Sequence, residues 1–146
     1  MRVLEPLCQV EKLEISPTQQ GAFKRNIWGY HLIVEFWNSP FELLAKAKNI
    51  EKALKLAINS FNENNNYIKV ISYQFQPFGV SAQVNSGRAH IYIHTWPENG
   101  YSAIDIIAEN KDEAYKILEK LQKILQPKNV YVAEILRGIS EDWGET

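Results

Sequence analysis

The most restrictive feature of this sequence is a crowded central stretch in which extended segments alternate with very short connections. Four strand-like runs follow one another, Tyr67–Phe75, Val80–Asn85, Ala89–Trp96 and Tyr101–Ala108. Short connections separate the later ones, punctuated by Pro77-Phe78-Gly79, Ser86-Gly87 and Pro97-Glu98-Asn99-Gly100. Proline, glycine and asparagine at these points are turn formers. Links this short join antiparallel neighbours, because a parallel crossover needs a dozen residues or more. The stretch therefore predicts a hairpin-built sheet.

Helical patterns flank the stretch. Ile50, Ala53, Leu54, Ala57, Ile58 and Phe61 recur at steps of three and four, giving one apolar stripe. Ser39, Pro40 and Glu42 read as a cap, a first helical position and a capping box for an earlier helical turn. Asn62 through Asn66 ends the first helix. Asn110 with Glu113 opens a second helix, whose stripe is Ala114, Ile117, Leu118, Leu121, Ile124 and Leu125, and Pro127 stops it. Trp28–Trp37 and Val130–Leu136 read as outer strands.

The predicted order is β-α-β-β-β-β-α-β, an α+β two-layer sandwich with a mainly antiparallel sheet and two helices on one face. Residues 1–27 read as an N-terminal extension with room for one short strand, 28–138 as the domain, and 139–146 as an acidic tail. Several strands are apolar on both faces, as with Ile91 and Ile93 against Tyr92 and Trp96. A dimer packed sheet to sheet accounts for that pattern.

Charge narrows the function classes. Sixteen basic residues face seventeen acidic ones, so the basic excess that nucleic acid or anionic membrane favours is missing. No apolar run is long enough to span a bilayer, and no secretion signal opens the chain. Cys8 is the single cysteine, which excludes an internal disulfide and a cysteine-rich zinc site. A cytoplasmic location is the expectation.

Polar chemistry concentrates between Arg88 and Asp105. His90, Tyr92 and His94 share one strand face by parity, with Glu98 and Asp105 close by. Two histidines and two carboxylates would suit a metal, but His-x-x-x-His is a helical zinc spacing, so no metal is expected.

Three blocks of this sequence stand out: Gly29 to Trp37, Pro77-Phe78-Gly79-Val80-Ser81, and His90 to Asp105 with its run His94-Thr95-Trp96-Pro97-Glu98. Together they resemble the S-adenosylmethionine decarboxylase family in its short prokaryotic form, and the run from His94 to Glu98 matches that family's intact. The resemblance covers about residues 28–138 and implies spermidine, hence polyamine, biosynthesis. Family enzymes cut their own chain between a Glu and a Ser and turn the serine into a pyruvoyl group. That group holds the substrate amine and accepts electrons during decarboxylation.

The Glu-Ser pair corresponds to Arg88-Ala89, and alanine has no hydroxyl, so a pyruvoyl cofactor cannot form at Ala89 and none is expected. The family's catalytic cysteine corresponds to Glu109. Ser86 lies three residues before Ala89, and in a continued strand it would point to the opposite face. By the same resemblance Ser81 and His94 are the pair that assists processing, Phe75 stacks on adenine and Glu98 binds the ribose hydroxyls. Phe75, Glu98 and Glu109 are the candidate ligand residues. The resemblance implies a non-processing relative that either binds S-adenosylmethionine or a related nucleoside or acts as a regulatory partner protein, as a homodimer or a mixed dimer with an active paralogue. Two alternatives stand beside it: an enzyme acting on S-adenosylmethionine without a pyruvoyl group, and the decarboxylase itself.

Overall fold

Period-two alternation decides which sheet face meets the helices. In a computed structural model, residues 8–13, 29–59 and 68–138 are described. Their strands are β1 (Cys8–Leu13), β2 (Gly29–Trp37), β3 (Lys69–Gln74), β4 (Val80–Asn85), β5 (His90–Trp96), β6 (Tyr101–Ala108) and β7 (Asn129–Arg137). The helices are α1 (Phe41–Leu44), α2 (Ala47–Asn59) and α3 (Lys111–Leu125). One sheet holds all seven strands in the order β1-β7-β2-β6-β5-β4-β3. Every pairing is antiparallel except β1 with β7. The expected α+β sandwich is thus the observed fold, with β1 added beside β7. Trp28, Phe61, Tyr67 and the acidic tail lie outside the described residues.

Leu32, Val34 and Phe36 of β2, Ile91 and Ile93 of β5, and Ile104 and Ile106 of β6 are all buried on the helix side. They meet Ile50, Leu54 and Ile58 of α2 and Ile117 and Leu121 of α3 in one core. Each such side chain contributes about 1.5–3 kcal/mol through burial. The 3.6-residue stripes read from the sequence are the faces that pack here.

The two helix starts differ. Asn110 caps α3 as expected, its Oδ1 accepting from the Glu113 N–H at 3.0 Å. Ser39 does not cap α1: the cap position is Pro40, and no side-chain cap bond forms. The reason is Gly100, whose carbonyl accepts from the Ser39 N–H at 3.0 Å. Gly100 has φ of 61°, and a Cβ there would lie 3.0 Å from the Ser39 carbonyl oxygen. This contact fixes Ser39 against the turn after β5, and its buried hydroxyl makes no hydrogen bond.

Candidate functional site

The face away from the helices carries the polar and aromatic residues, in rungs set by strand register. Tyr73, Ser81, His94, Ala103 and Glu35 line one rung across β3, β4, β5, β6 and β2. The neighbouring rung toward the end of β5 carries Trp96 and Tyr101. Ile71, Tyr73, Tyr92 and Trp96 are exposed on this face. An open depression of about 430 Å³ lies over β3, β4 and β5, lined by Ile71, Tyr73, Ser81, Gln83 and Tyr92 among others.

At the β5 C-terminal end the rings form a ladder. His94 stacks on Trp96 at 4.0 Å and on Phe75 at 5.3 Å, so both imidazole faces are covered. Trp96 continues to Tyr101 at 5.3 Å, and Tyr101 to Trp37 at 4.3 Å. Glu35 accepts from the Tyr101 hydroxyl and the Trp37 indole N–H, each at 3.3 Å. Burial, and then the Glu35 carboxylate, raise the Tyr101 pKa. Glu98 is exposed in the 3-10 turn Pro97–Asn99 that follows β5. A Cβ at Gly79 would lie 3.7 Å from both the Phe75 Cβ and the Pro97 Cδ, which puts the base of the Phe75 side chain close to the start of the Glu98 turn.

At the opposite end sit Ala89, Arg88 and Glu109. From Tyr101 to Glu109 the chain runs eight residues along β6 and just beyond, roughly 27 Å at an extended rise of about 3.4 Å per residue. Phe75 and Glu98 are therefore brought together, and Glu109 is not beside them within one chain. Arg88 pairs with Glu109 at 3.4 Å through Nε and donates from Nη2 to Glu113 of α3.

Ala89 is buried, at 3% exposure, and faces Ser86 across a two-residue hairpin. The Ser86 N–H donates to the Ala89 carbonyl at 3.0 Å, and the Ser86 hydroxyl also donates to that carbonyl at 3.2 Å. Gly87, at φ of 91°, supplies the left-handed turn residue. The strand does not continue through this point, so Ser86 and Ala89 share a side, contrary to the expectation from simple alternation. Residues paired across an antiparallel hairpin must share a face.

Between the two ends lies a polar string that sequence reasoning missed. His31 Nε2 is 2.9 Å from Asp105, and Arg137 Nη1 is 3.3 Å from His31 Nδ1. Arginine only donates, so Nδ1 accepts and the ring proton sits on Nε2, given to Asp105. All three residues sit on the open face by parity, but their meeting depends on the β7-β2-β6 order. Close by, burial and then His31 lower the pKa of His90. Among the described residues no group of three or more His, Cys, Asp or Glu is placed to hold a metal. None of the described helices is long and apolar enough to cross a membrane.

Comparison with known proteins agrees with the block pattern. The sequence profile of S-adenosylmethionine decarboxylase matches residues 30–138, most of the chain. The chain belongs to the S-adenosylmethionine decarboxylase family. It is 36% identical over 117 residues to the S-adenosylmethionine decarboxylase proenzyme of Thermosipho melanesiensis, covering 80% of this chain and 88% of that protein. The figures for the Thermotoga maritima proenzyme are the same. The Methanococcus maripaludis proenzyme is 35% identical over 114 residues, covering 77% of this chain and 92% of its own. The crystal structure of the adenosylmethionine decarboxylase from Aquifex aeolicus superposes with a TM-score of 0.70 at 28% identity, over 80% of this chain and 96% of that one.

Proposed function

We propose that this chain is a non-processing member of the family, which binds an adenosyl ligand and pairs its open sheet face with a second family chain. One observation carries the reading: Ala89, the residue before His90, offers only a buried methyl group where self-processing needs a hydroxyl. The nearest serine, Ser86, has its hydroxyl engaged with the Ala89 backbone. These residues do not fit a serine-derived pyruvoyl group, and no step is routed through one.

The surroundings support the same reading. Arg88 and Glu109 stand where the family pattern has a glutamate and a cysteine, and they form an ion pair with each other. That pairing also disfavours Glu109 as a free general base, and with it an enzyme working without a pyruvoyl group. Phe75, Ser81, His94 and Glu98 keep the family residue types at the other end. Phe75 offers a ring for adenine and Glu98 an exposed carboxylate for ribose hydroxyls.

Sheet-to-sheet pairing gains support from the aromatic and aliphatic side chains exposed on the open face, Ile71, Tyr73, Tyr92 and Trp96. The partner is a second copy or an active paralogue. In a mixed dimer this chain would lend Ser81, His94 and Glu98 to a partner with its own serine and cysteine. Residues 139–146 belong to the reading as a tail, and residues 1–27 as an extension whose Cys8–Leu13 strand joins the sheet of the domain beside β7.

Intact-mass measurement tests the core of this reading. A single species at the full chain mass is expected, and two fragments, one with a pyruvoyl-blocked end, would overturn it. Adenosyl compounds should raise the melting temperature of the protein. Light scattering with and without an active paralogue reads the pairing.

A further inference from the structure

Gln74 ends β3, and alternation sends its side chain to the helix side of the sheet while Phe75, one residue on, faces the open side. Both ends of the Gln74 amide are engaged. Gln74 Oε1 accepts from the Ala47 N–H at 2.6 Å. Ala47 opens α2, and the first N–H groups of a helix have no partner inside it. Gln74 Nε2 lies 2.9 Å from the Ala45 carbonyl oxygen, 3.0 Å from that of Phe75 and 2.9 Å from that of Gly79. The backbone joins the same three residues. The Phe75 N–H donates to the Gly79 carbonyl at 2.8 Å, and the Gly79 N–H to that of Ala45 at 3.1 Å.

The turn from Phe75 to Gly79 is therefore held at both ends against the junction of α1 and α2. That junction is itself fixed to the sheet. The buried Thr95 hydroxyl donates to the Leu44 carbonyl and accepts from the Val80 N–H, each at 2.9 Å. An amide suits the place of Gln74, because it offers an acceptor and two donors from one planar group. A carboxylate lacks the donors, and an ammonium lacks the acceptor. Phe75, by contrast, stands just beyond the strand at 37% exposure, its ring against those of His94 and Tyr73. Where that ring stands depends on the backbone beneath it.

We infer that Gln74 is a positioning residue for Phe75: from the opposite face of the sheet it fixes the backbone that aims the ring, and so presets the stacking surface offered to a planar base. That the base belongs to an adenosyl ligand rests on the reading above. Presetting the ring removes the cost of ordering it when the ligand arrives.

NMR of the His94 ring protons and calorimetric titration with 5′-methylthioadenosine test this on the full-length protein. The His94 signals carry the shielding of the rings on both its faces, so they report where Phe75 stands with or without a ligand. Q74A should move them toward their positions in F75A. It should also weaken methylthioadenosine binding about two- to tenfold, the cost of ordering one side chain. Added to F75A, the same change should have no further effect on affinity. Q74E keeps an acceptor for the Ala47 N–H but sets a carboxylate against the three carbonyls, so it should match Q74A in both readouts with α2 still capped. A loss of affinity that persists undiminished in the F75A background would make Gln74 a general support of the fold and overturn the inference. Unmoved His94 signals in both variants would overturn it too. Unchanged affinity in both, with a wild type that binds, would do the same and leave adenosyl binding standing. Moved signals with no nucleoside bound by wild type would support the positioning role and overturn the adenosyl reading.

Discussion

The His94 imidazole lies 4.0 Å from the Trp96 indole with the two planes only 6° apart, and Phe75 covers its other face. The histidine is the centre of a three-ring stack, and one face of Phe75 is already used. Tyr73 packs against Phe75 in a T-shaped contact with ring centroids 4.8 Å apart, so a base stacking on Phe75 is expected to use the ring surface that His94 and Tyr73 leave open. F75A is expected to weaken methylthioadenosine binding about tenfold, since base–aromatic stacking contributes about 1–3 kcal/mol. Calorimetry checks the affinity, and circular dichroism checks the fold. An unchanged affinity would remove Phe75 from the site.

Glu98 gives a cleaner test, because it is exposed in its turn and bears on no packing. E98Q should lower affinity for the same nucleoside about tenfold or more, in line with about 1.5–3 kcal/mol for hydrogen bonds to a charged group. Its melting temperature should stay at the wild-type value. A 2′,3′-dideoxy nucleoside, which lacks both hydroxyls, should bind E98Q and wild type alike.

The open face also has a pH response. Burial, then His31, lower the proton affinity of folded His90. Below about pH 6.5, the unfolded chain takes up a proton at this residue more readily than the folded chain does. This contribution to stability is present above that pH and is lost as the pH falls. Melting temperatures measured from pH 8 to pH 5 should drop more steeply in wild type than in H90N. Parallel curves would mean that His90 does not titrate as placed, with Asp105, Arg137 and His31 as its charged surroundings.

Gly100 ties the Glu98 turn to the start of α1. G100A forces a Cβ to within 3.0 Å of a backbone oxygen at a left-handed φ. A loss of about 1–3 kcal/mol is expected, seen as a melting temperature lower by several degrees. A neutral G100A would show that the Asn38–Ser39 segment can give way.

Ser86 separates a structural serine from a hidden nucleophile. S86A removes the hydroxyl that caps the hairpin, and it should cost about 1 kcal/mol in urea unfolding. The mass spectrum should remain that of one intact chain in both proteins. Cleavage in wild type that S86A abolishes would make Ser86 reactive after all.

Strand positions were legible because turn residues mark them. Ser86-Gly87 and Pro97-Glu98-Asn99-Gly100 bracket β5, and parity alone placed His90, Tyr92 and His94 on one face. What sat on each face was therefore readable, but which strand lay beside it was not. The His31–Asp105 contact spans 74 residues and the Arg137–His31 contact 106, and neither leaves a local periodic trace. Glu113 was read only as a capping-box residue, and its side chain instead reaches Arg88. Local signals also misled at Ser39, where the Gly100 contact outweighs a good cap sequence. Parity misled at Ser86 for a related reason: the chain folds back at Gly87, and a face prediction survives only as far as the strand does.

The closed tip between β4 and β5 has a consequence for how the molecule is made. Both strands lie inside the sheet, between β6 and β3. With Ser86 bonded to Ala89 across two residues, their pairing closes the shortest kind of loop, which costs little chain entropy and forms on a microsecond scale. A chain severed at that tip would have to find its own second half again after unfolding. An unsevered one refolds as a single polymer, at a rate that does not depend on how concentrated it is.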